Sequence, residues 1–196
     1  MTNKIPKPDL SLWKIWDIAE EKNDYVFLFW AYQIEIGFAI AIFLLIGSCG
    51  VLYFANYSIS SMFMVFSQEW WGVFEAIAYV GLVLCAHELL HAFFSNHRYW
   101  KFVRFSVVKE YGAFATHIYG ENSKVQKLVF ILAPLLIISG IGIPLAIYND
   151  SPLIMFAALI NLFGAGADIA MAISTLMILK ADRTYVDGEN IYIPRQ

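Results

Sequence analysis

Charged side chains are scarce in this sequence. Asp, Glu, Lys and Arg make up only 15% of the 196 residues, whereas a soluble domain carries about 25%. The 13 basic and 16 acidic residues leave a formal net charge of −3, so no basic surface is offered to nucleic acid. With 60% hydrophobic residues and a mean hydropathy of +0.62, the composition predicts an integral membrane protein forming one domain over residues 1–196.

Cysteine is almost absent as well. Cys49 and Cys85 each lie in an apolar run, so we expect two buried thiols and no disulfide. Two cysteines this far apart exclude a zinc site built from cysteine pairs. The chain does not open on a basic stretch followed by an apolar one, so we expect no cleaved signal peptide and insertion directed by the first apolar segment.

Long apolar runs dominate the rest of the chain. Four of them reach the roughly 20 residues that a helix needs to cross a bilayer. They lie at residues 35–56, 71–95, 126–148 and 152–180. We therefore expect an all-α polytopic fold with four transmembrane helices. The last run contains Gly164 and Gly166, where we expect the helix to tilt or unwind locally.

Basic residues are missing from two of the connections, 57–70 and 149–151. All 13 lie in the N-terminal arm (1–33), the 96–127 connection or the C-terminal end from residue 180 onward. With four spans, these three regions share one side of the membrane. The positive-inside rule predicts that this side is the cytoplasm, so both the arm and the 181–196 tail are expected there.

The polar regions carry weaker structural signals. Apolar and polar residues alternate over 102–107, which predicts a strand, and a second strand over 112–119 would close a hairpin with a turn near 109–111. The spaced tryptophans of residues 12–30 predict an amphipathic helix at the membrane surface. In the tail, Asp187 and Gly188 form a turn signal between two short strand-like pieces.

One apolar segment contains the sequence HELLH, residues 87–91. His87 and His91 are about 40° apart around a helix, so they share a face and can hold one Zn²⁺. Glu88 is offset toward the same side, which suits the general base of a metal-assisted hydrolysis. The pattern is often purely structural in soluble helices. Inside an apolar span, three ionisable groups are costly without a metal, a partner or a wet cavity, which favours a functional site.

A catalytic zinc site usually takes a third protein ligand. His97 has the spacing found in metzincins, but Phe94 stands where that pattern needs glycine. Glu110 and Glu121 lie in the 96–127 connection, away from the apolar segments.

Two further candidates differ in their position along the chain. His117 lies in the predicted hairpin and could approach the site to bind or shield substrate. Asp168 is the only acidic residue deep in the fourth segment, at about the depth of His87, and is the strongest candidate. Asn161, seven residues earlier, is expected on the same helical face.

These motifs together resemble a known group. The pattern resembles that of site-2-protease-type intramembrane zinc metalloproteases. It consists of HELLH in one span, Ala133-Pro134 in the next, and Asn161 and Asp168 in the last. The sequence is most similar to a small bacterial membrane family called putative zincin peptidase, over about residues 70–180. The resemblance implies three zinc ligands, His87, His91 and Asp168, with Glu88 activating water.

The function implied is an intramembrane metallopeptidase in a bacterial cell membrane. It would hydrolyse peptide bonds of membrane-associated protein or peptide substrates with zinc-bound water, which Glu88 deprotonates. Asn161, His117 and Pro134 are expected to support the site or the substrate. Two other functions stay open: a non-catalytic zinc-binding accessory or immunity protein, and an ion carrier. Of the three, only hydrolysis requires glutamate at position 88.

Overall fold

A computed structural model describes residues 8–15, 33–54, 57–58, 66, 71–108, 113–178, 182–186 and 191–195. The helices are α1 (Gln33–Phe54), α2 (Trp71–Phe94), α3 (Lys124–Tyr148), α4 (Pro152–Gly164) and α5 (Gly166–Ile178). The strands are β1 (Trp13–Ile15), β2 (Arg104–Val108), β3 (Ala113–His117), β4 (Gly120–Ser123), β5 (Arg183–Val186) and β6 (Ile191–Pro194). A 3₁₀ helix, His97–Phe102, joins α2 to β2.

Two helices are long and apolar enough to cross a membrane, namely α2 with 24 residues and α3 with 25. The bent pair α4 and α5 makes a third if it forms one span. In α1 the described apolar stretch, Glu35–Gly50, is shorter, so a fourth span stays a prediction. Large apolar side chains cover the outside of these helices, among them Phe43, Val73 and Ile141. The lengths and the apolar surface indicate a membrane protein.

The helix α3 is regular at its start and distorted in its middle. Ser123 and Gln126 form a capping box, in which each side chain accepts a hydrogen bond from the other residue's backbone N–H. The first turns are α-helical up to Pro134, and Leu135–Ile141 follow as a π-helical segment. Pro134 has no backbone N–H, so the regular hydrogen-bond ladder is interrupted just before this segment.

A bend of 45° separates α4 from α5. The N–H of Ala165 still donates to Asn161 O at 2.8 Å, and the next helix starts at Gly166. The local unwinding predicted around Gly164 and Gly166 is confirmed by this bend. Because the chain turns here, Asn161 lies in the last turn of one helix and Asp168 in the first turn of the next, rather than on one continuous helical face.

The hairpin predicted in the 96–127 connection is confirmed. Strands β2 and β3 pair antiparallel, with Phe105 opposite Thr116 and Arg104 opposite His117. The predicted turn at 109–111 lies outside the described residues. Strand β2 begins at Arg104 because the preceding residues, His97–Phe102, form the 3₁₀ helix.

The mostly helical fold with a small hairpin is confirmed, but the described residues also form a second small sheet that was not predicted. Its strand order is β1-β6-β5-β4, and every neighbouring pair is antiparallel. The strand β1 corrects the surface helix expected over 12–30, whose remaining residues lie outside those described. The two strand-like pieces of the tail are confirmed as β5 and β6. The sheet brings the N-terminal arm, the 96–127 connection and the tail to one end of the helices.

The two cysteines differ in part from expectation. Cys49 and Cys85 are both free thiols, as predicted. Their side chains are exposed on the surfaces of α1 and α2, so the predicted burial is wrong. In a membrane-spanning helix an apolar residue has no reason to face inward, because the lipid is as apolar as the protein core.

Candidate metal centre

Three side chains from two helices meet inside the bundle. His87 and His91 lie one turn apart on the buried face of α2, and Asp168 reaches them from the first turn of α5. Asp168 Oδ2 lies 3.1 Å from His87 Nε2 and 3.5 Å from His91 Nε2, and the two Nε2 atoms are 3.1 Å apart. The side chains of both histidines are less than a tenth exposed. Of the residues that the structure describes, these three form the one group able to hold a metal ion.

The other ring nitrogen of His87 is held by Asn161. Asn161 Oδ1 lies 2.8 Å from His87 Nδ1. The amide nitrogen of Asn161 donates to Pro134 O at 3.0 Å and to Ser139 Oγ at 2.8 Å. Since a carbonyl can only accept, this fixes which way the amide points, and its oxygen must accept a proton from Nδ1. The Nε2 atom of His87 therefore carries the lone pair that faces the other two ligands.

His91 is oriented in the same way by the backbone. His91 Nδ1 donates to Phe130 O at 2.7 Å, and the two rings stack with centroids 4.9 Å apart. A carbonyl acceptor again places the proton on Nδ1 and leaves the lone pair on Nε2. Both imidazoles thus present their unprotonated nitrogens to the same point, an arrangement typical of histidines that bind metals.

The arrangement fits a zinc ion. Two nitrogen lone pairs and a carboxylate oxygen face one another, and Asp168 Oδ2 is buried without a hydrogen-bond donor. Three acceptors at this distance repel one another unless a cation lies between them. Ligands at about 2.0–2.1 Å from tetrahedral zinc are about 3.3 Å apart, close to the three separations seen here. Two imidazoles and one carboxylate form a common zinc ligand set that leaves a fourth position open.

Glu88 lies beside the cluster and contacts the hairpin. Its Oε2 accepts a hydrogen bond of 2.6 Å from the hydroxyl of Thr116 on β3. A cleft of about 300 Å³ opens on the same side of α2, lined by Cys85, Glu88, Leu89, Phe105 and Ala115. All lining residues except Glu88 are apolar or weakly polar. Among the described residues that line this cleft, Glu88 therefore carries the one charged group.

The structure separates the other candidate ligands from the cluster. His97 is exposed in the 3₁₀ helix and stacks on Trp100 with centroids 4.3 Å apart. Glu121 pairs with Arg183 at 3.1 Å in the larger sheet. Glu110 lies outside the described residues.

His117 is on the hairpin but does not face the cluster. Successive residues of a strand point to opposite sides, so His117 faces away when Thr116 faces Glu88. His117 Nε2 instead lies 2.7 Å from Ser106 Oγ, and its side chain is exposed. The expectation that His117 shields the site does not agree with this placement.

Sequence reasoning missed three partners of the site. They are the hydroxyl of Thr116, the hydroxyl of Ser139 and the backbone oxygen of Phe130. The first two belong to residue types that are common at surfaces and in helices. One sequence signal was available for the third, because the proline at position 134 removes the helical donor to the carbonyl at position 130.

Comparison with known proteins agrees with this geometry. A sequence model of the family described as "Putative zincin peptidase" matches residues 80–182, more than half of the chain. The chain belongs to this family. The matched region contains the whole cluster, from His87 in α2 to Asp168 in α5, and membership indicates a zinc metallopeptidase. No curated protein and no solved structure matches the chain.

Proposed function

We propose that this protein is an intramembrane zinc metallopeptidase of the site-2-protease type. The observation that carries the proposal is the convergence of His87, His91 and Asp168 inside apolar helices, with Glu88 next to them on an open cleft. Ionisable groups at this depth are functional by default, since the bilayer penalises them strongly.

The roles follow from the atoms that each residue presents. His87, His91 and Asp168 would hold the ion through Nε2, Nε2 and Oδ2. Bound zinc would polarise the scissile carbonyl and acidify the attacking water. Glu88 would accept the proton of that water and pass it to the leaving amine. Asn161 and the Phe130 carbonyl keep the two imidazoles in the required orientation.

The cleft between α2 and the hairpin suits an apolar substrate segment. The cleft is lined beside Glu88 by Leu89, Phe105 and Ala115. None of the described lining residues is cationic. A peptide bond can enter a hydrolytic site only if its segment is extended, because helical carbonyls and amides are hydrogen-bonded to one another. We therefore expect a membrane-associated protein or peptide whose helix unwinds at an apolar stretch, with a strand added to the β2–β3 hairpin.

The proposed topology has four spans and cytoplasmic termini. Helix α1 has 22 residues, which corresponds to about 33 Å and is enough for a hydrocarbon core of about 30 Å. It packs directly on α4 and α5, as a membrane-spanning neighbour would. Among the described basic residues, Lys14 and Arg183 lie in the larger sheet and Lys124 directly follows its strand β4, which favours that end of the helices as the cytoplasmic one.

The test separates hydrolysis from the other zinc functions. In detergent-solubilised protein, Glu88→Gln should retain zinc while turnover of an internally quenched single-span peptide falls about 10²–10⁴-fold. Glu75→Gln on the same helix is the matched control and should cleave like the wild type, since Glu75 is exposed four turns away from the motif. Asp168→Ala should lose zinc, measured by elemental analysis.

Two results would contradict the proposal. Full biological activity of Glu88→Gln with zinc bound would indicate a structural zinc site or an ion carrier. Unchanged zinc content in Asp168→Ala would remove Asp168 from the ligand set.

A further inference from the structure

The second histidine of the motif is oriented by a backbone atom that an ordinary helix would not offer. In a regular helix the carbonyl of residue 130 accepts from the N–H of residue 134. Residue 134 is a proline, so this donor does not exist, and a proline ring also pushes the carbonyl four residues earlier away from the helix axis. The next N–H, that of Leu135, donates to Leu132 O instead. Phe130 O is left to accept from His91 Nδ1 at 2.7 Å.

We infer that Pro134 is a positioning residue for the metal centre, acting on His91 through the carbonyl of Phe130. This inference rests on the zinc site proposed above. Pro134 is fully buried at the end of Lys124–Pro134, the α-helical part of α3 that packs against α2, and its own carbonyl accepts from Asn161 at 3.0 Å. One proline thus supports both histidines. Its missing N–H leaves Phe130 O free to accept from His91, and its own carbonyl accepts from Asn161, which holds His87.

If Pro134 has only a structural role, the expected effect of replacing it on zinc binding differs from the effect expected of a positioning residue. Proline in a helix interior is less favourable than alanine, because it lacks the N–H donor and clashes with the preceding turn. If Pro134 only shapes the helix, replacing it with alanine should change the free energy of zinc binding by no more than it changes the stability of the metal-free protein. If it vacates the carbonyl, alanine restores the helical hydrogen bond, turns Phe130 O back along the axis and weakens His91 as a ligand. Stability of the metal-free protein and affinity for zinc then move in opposite directions.

The experiment compares Pro134→Ala with Pro144→Ala in purified full-length protein in detergent. Pro144 lies in the same helix, is exposed and is preceded four residues earlier by Gly140, so it is a matched control without a ligand partner. Zinc dissociation constants are measured by competition with a chromophoric chelator, and melting temperatures are measured after chelation. We expect Pro134→Ala to bind zinc at least about tenfold more weakly, with a melting temperature no lower than that of the wild type. Pro144→Ala should bind zinc like the wild type.

Each other outcome is decisive. Zinc affinity of Pro134→Ala within about twofold of the wild type would overturn the inference, because outer partners of metal-bound histidines change affinity by about 10–100-fold. A parallel loss of zinc affinity and of metal-free stability in both Pro134→Ala and Pro134→Leu, the second of which fills more of the space, would also overturn it, by showing a general packing defect. A wild-type protein that binds no zinc would instead refute the proposed function.

Discussion

At the scale of single residues, the histidine side chains that build the candidate site use one polar atom for the site and hydrogen-bond the other to a buried protein atom. Each imidazole uses Nδ1 for a fixed acceptor and turns Nε2 inward. Asn161 uses its oxygen for His87 and its nitrogen for two acceptors on α3. Because these partners are buried protein atoms, the ligands are held in place before any ion binds. Such preorganisation is what distinguishes a metal centre from a chance group of polar side chains.

The hydroxyl of Thr116 should matter for turnover in the same way. Thr116→Val keeps the shape of the side chain but removes the donor to Glu88 Oε2. A hydrogen bond to a charged group contributes about 1.5–3 kcal/mol, so we expect kcat for the quenched peptide to fall about tenfold to hundredfold. KM should change little, since the hydroxyl contacts the base and not the substrate.

The control for Thr116 lies on the same hairpin. Thr116→Ser retains a hydroxyl and should restore most of kcat, whereas Ser106→Ala removes a hydroxyl from the opposite face and should have no effect. Equal kcat for Thr116→Val and wild type would show that Glu88 does not depend on this contact. A rise in KM alone would assign Thr116 to substrate binding.

Residue identity explains which parts of the site the sequence could predict. His87, Glu88, His91 and Asp168 stand out because ionisable side chains are rare in apolar segments. Thr116 does not, since its role depends on a strand packing against a helix 28 residues earlier in the chain. The Phe130 carbonyl has no side-chain signature at all, and only the proline four residues later hints at it.

At the scale of elements, the crossing of α1 and α5 sets the position of Asp168. A Cβ on Gly37 would lie 2.8 Å from Ala167 Cα, and one on Gly166 would collide with the carbonyl of Gly37. The two backbones therefore touch, as small residues allow in membrane helices. Asp168 follows two residues after this contact, so the crossing fixes how far its carboxylate reaches toward α2.

Enlarging Gly166 should disturb both stability and metal binding. Gly166→Ala forces α5 away from α1, and overpacking of this kind costs about 1–3 kcal/mol. We expect a lower melting temperature in detergent and weaker zinc binding, measured by calorimetry and chelator competition. Gly164→Ala is the matched control, because a Cβ there meets nothing within 4 Å. Equal behaviour of the two variants would show that the crossing does not position Asp168.

The success of sequence reasoning differed between helices and strands. Apolar runs predicted α2, α3 and the bent α4–α5 pair, since a helix satisfies its own backbone wherever it lies in a membrane. The hairpin was predicted because its two strands are close in sequence. The larger sheet was missed as a whole, although β5 and β6, which are close in sequence, were predicted. Its strands have three or four residues each, and β1 and β4 pair with strands far away in the chain. Trp13 was assigned to a surface helix for the same reason, as pairing with Pro194 leaves no local pattern.

At the scale of the whole molecule, the larger sheet gathers regions that the charge pattern had already grouped. Strand β4 comes from the 96–127 connection, β1 from the arm, and β5 and β6 from the tail. Exposed Arg183 and Glu121 pair across two of these strands at 3.1 Å. A surface pair contributes little by itself, so the sheet is held mainly by its backbone ladder and by buried Tyr185 and Tyr192.

The proposed orientation can be tested with single cysteines. In a background with Cys49→Ala and Cys85→Ala, Ser58→Cys would lie between α1 and α2, and Lys14→Cys in β1; both positions are exposed. In intact bacterial cells, a membrane-impermeant maleimide should label Ser58→Cys and reach Lys14→Cys only after lysis. Labelling of Lys14→Cys alone in intact cells would show that the topology is the inverse of the proposed one. Labelling of both cysteines would show that residues 14 and 58 lie on the same side, which contradicts an odd number of spans between them.

Strand order also determines when the larger sheet can be completed during synthesis. The central β6 joins β1 to β5, so residues 13–15 have no strand partner until residues 191–194 have been made. At about 5–20 residues per second, the ribosome needs roughly 10–35 s to bridge that interval. Asp168 likewise emerges long after His87 and His91. In the proposed topology, a nascent chain would insert its first spans without a complete metal site, and zinc would be acquired late, after most of the chain has entered the membrane.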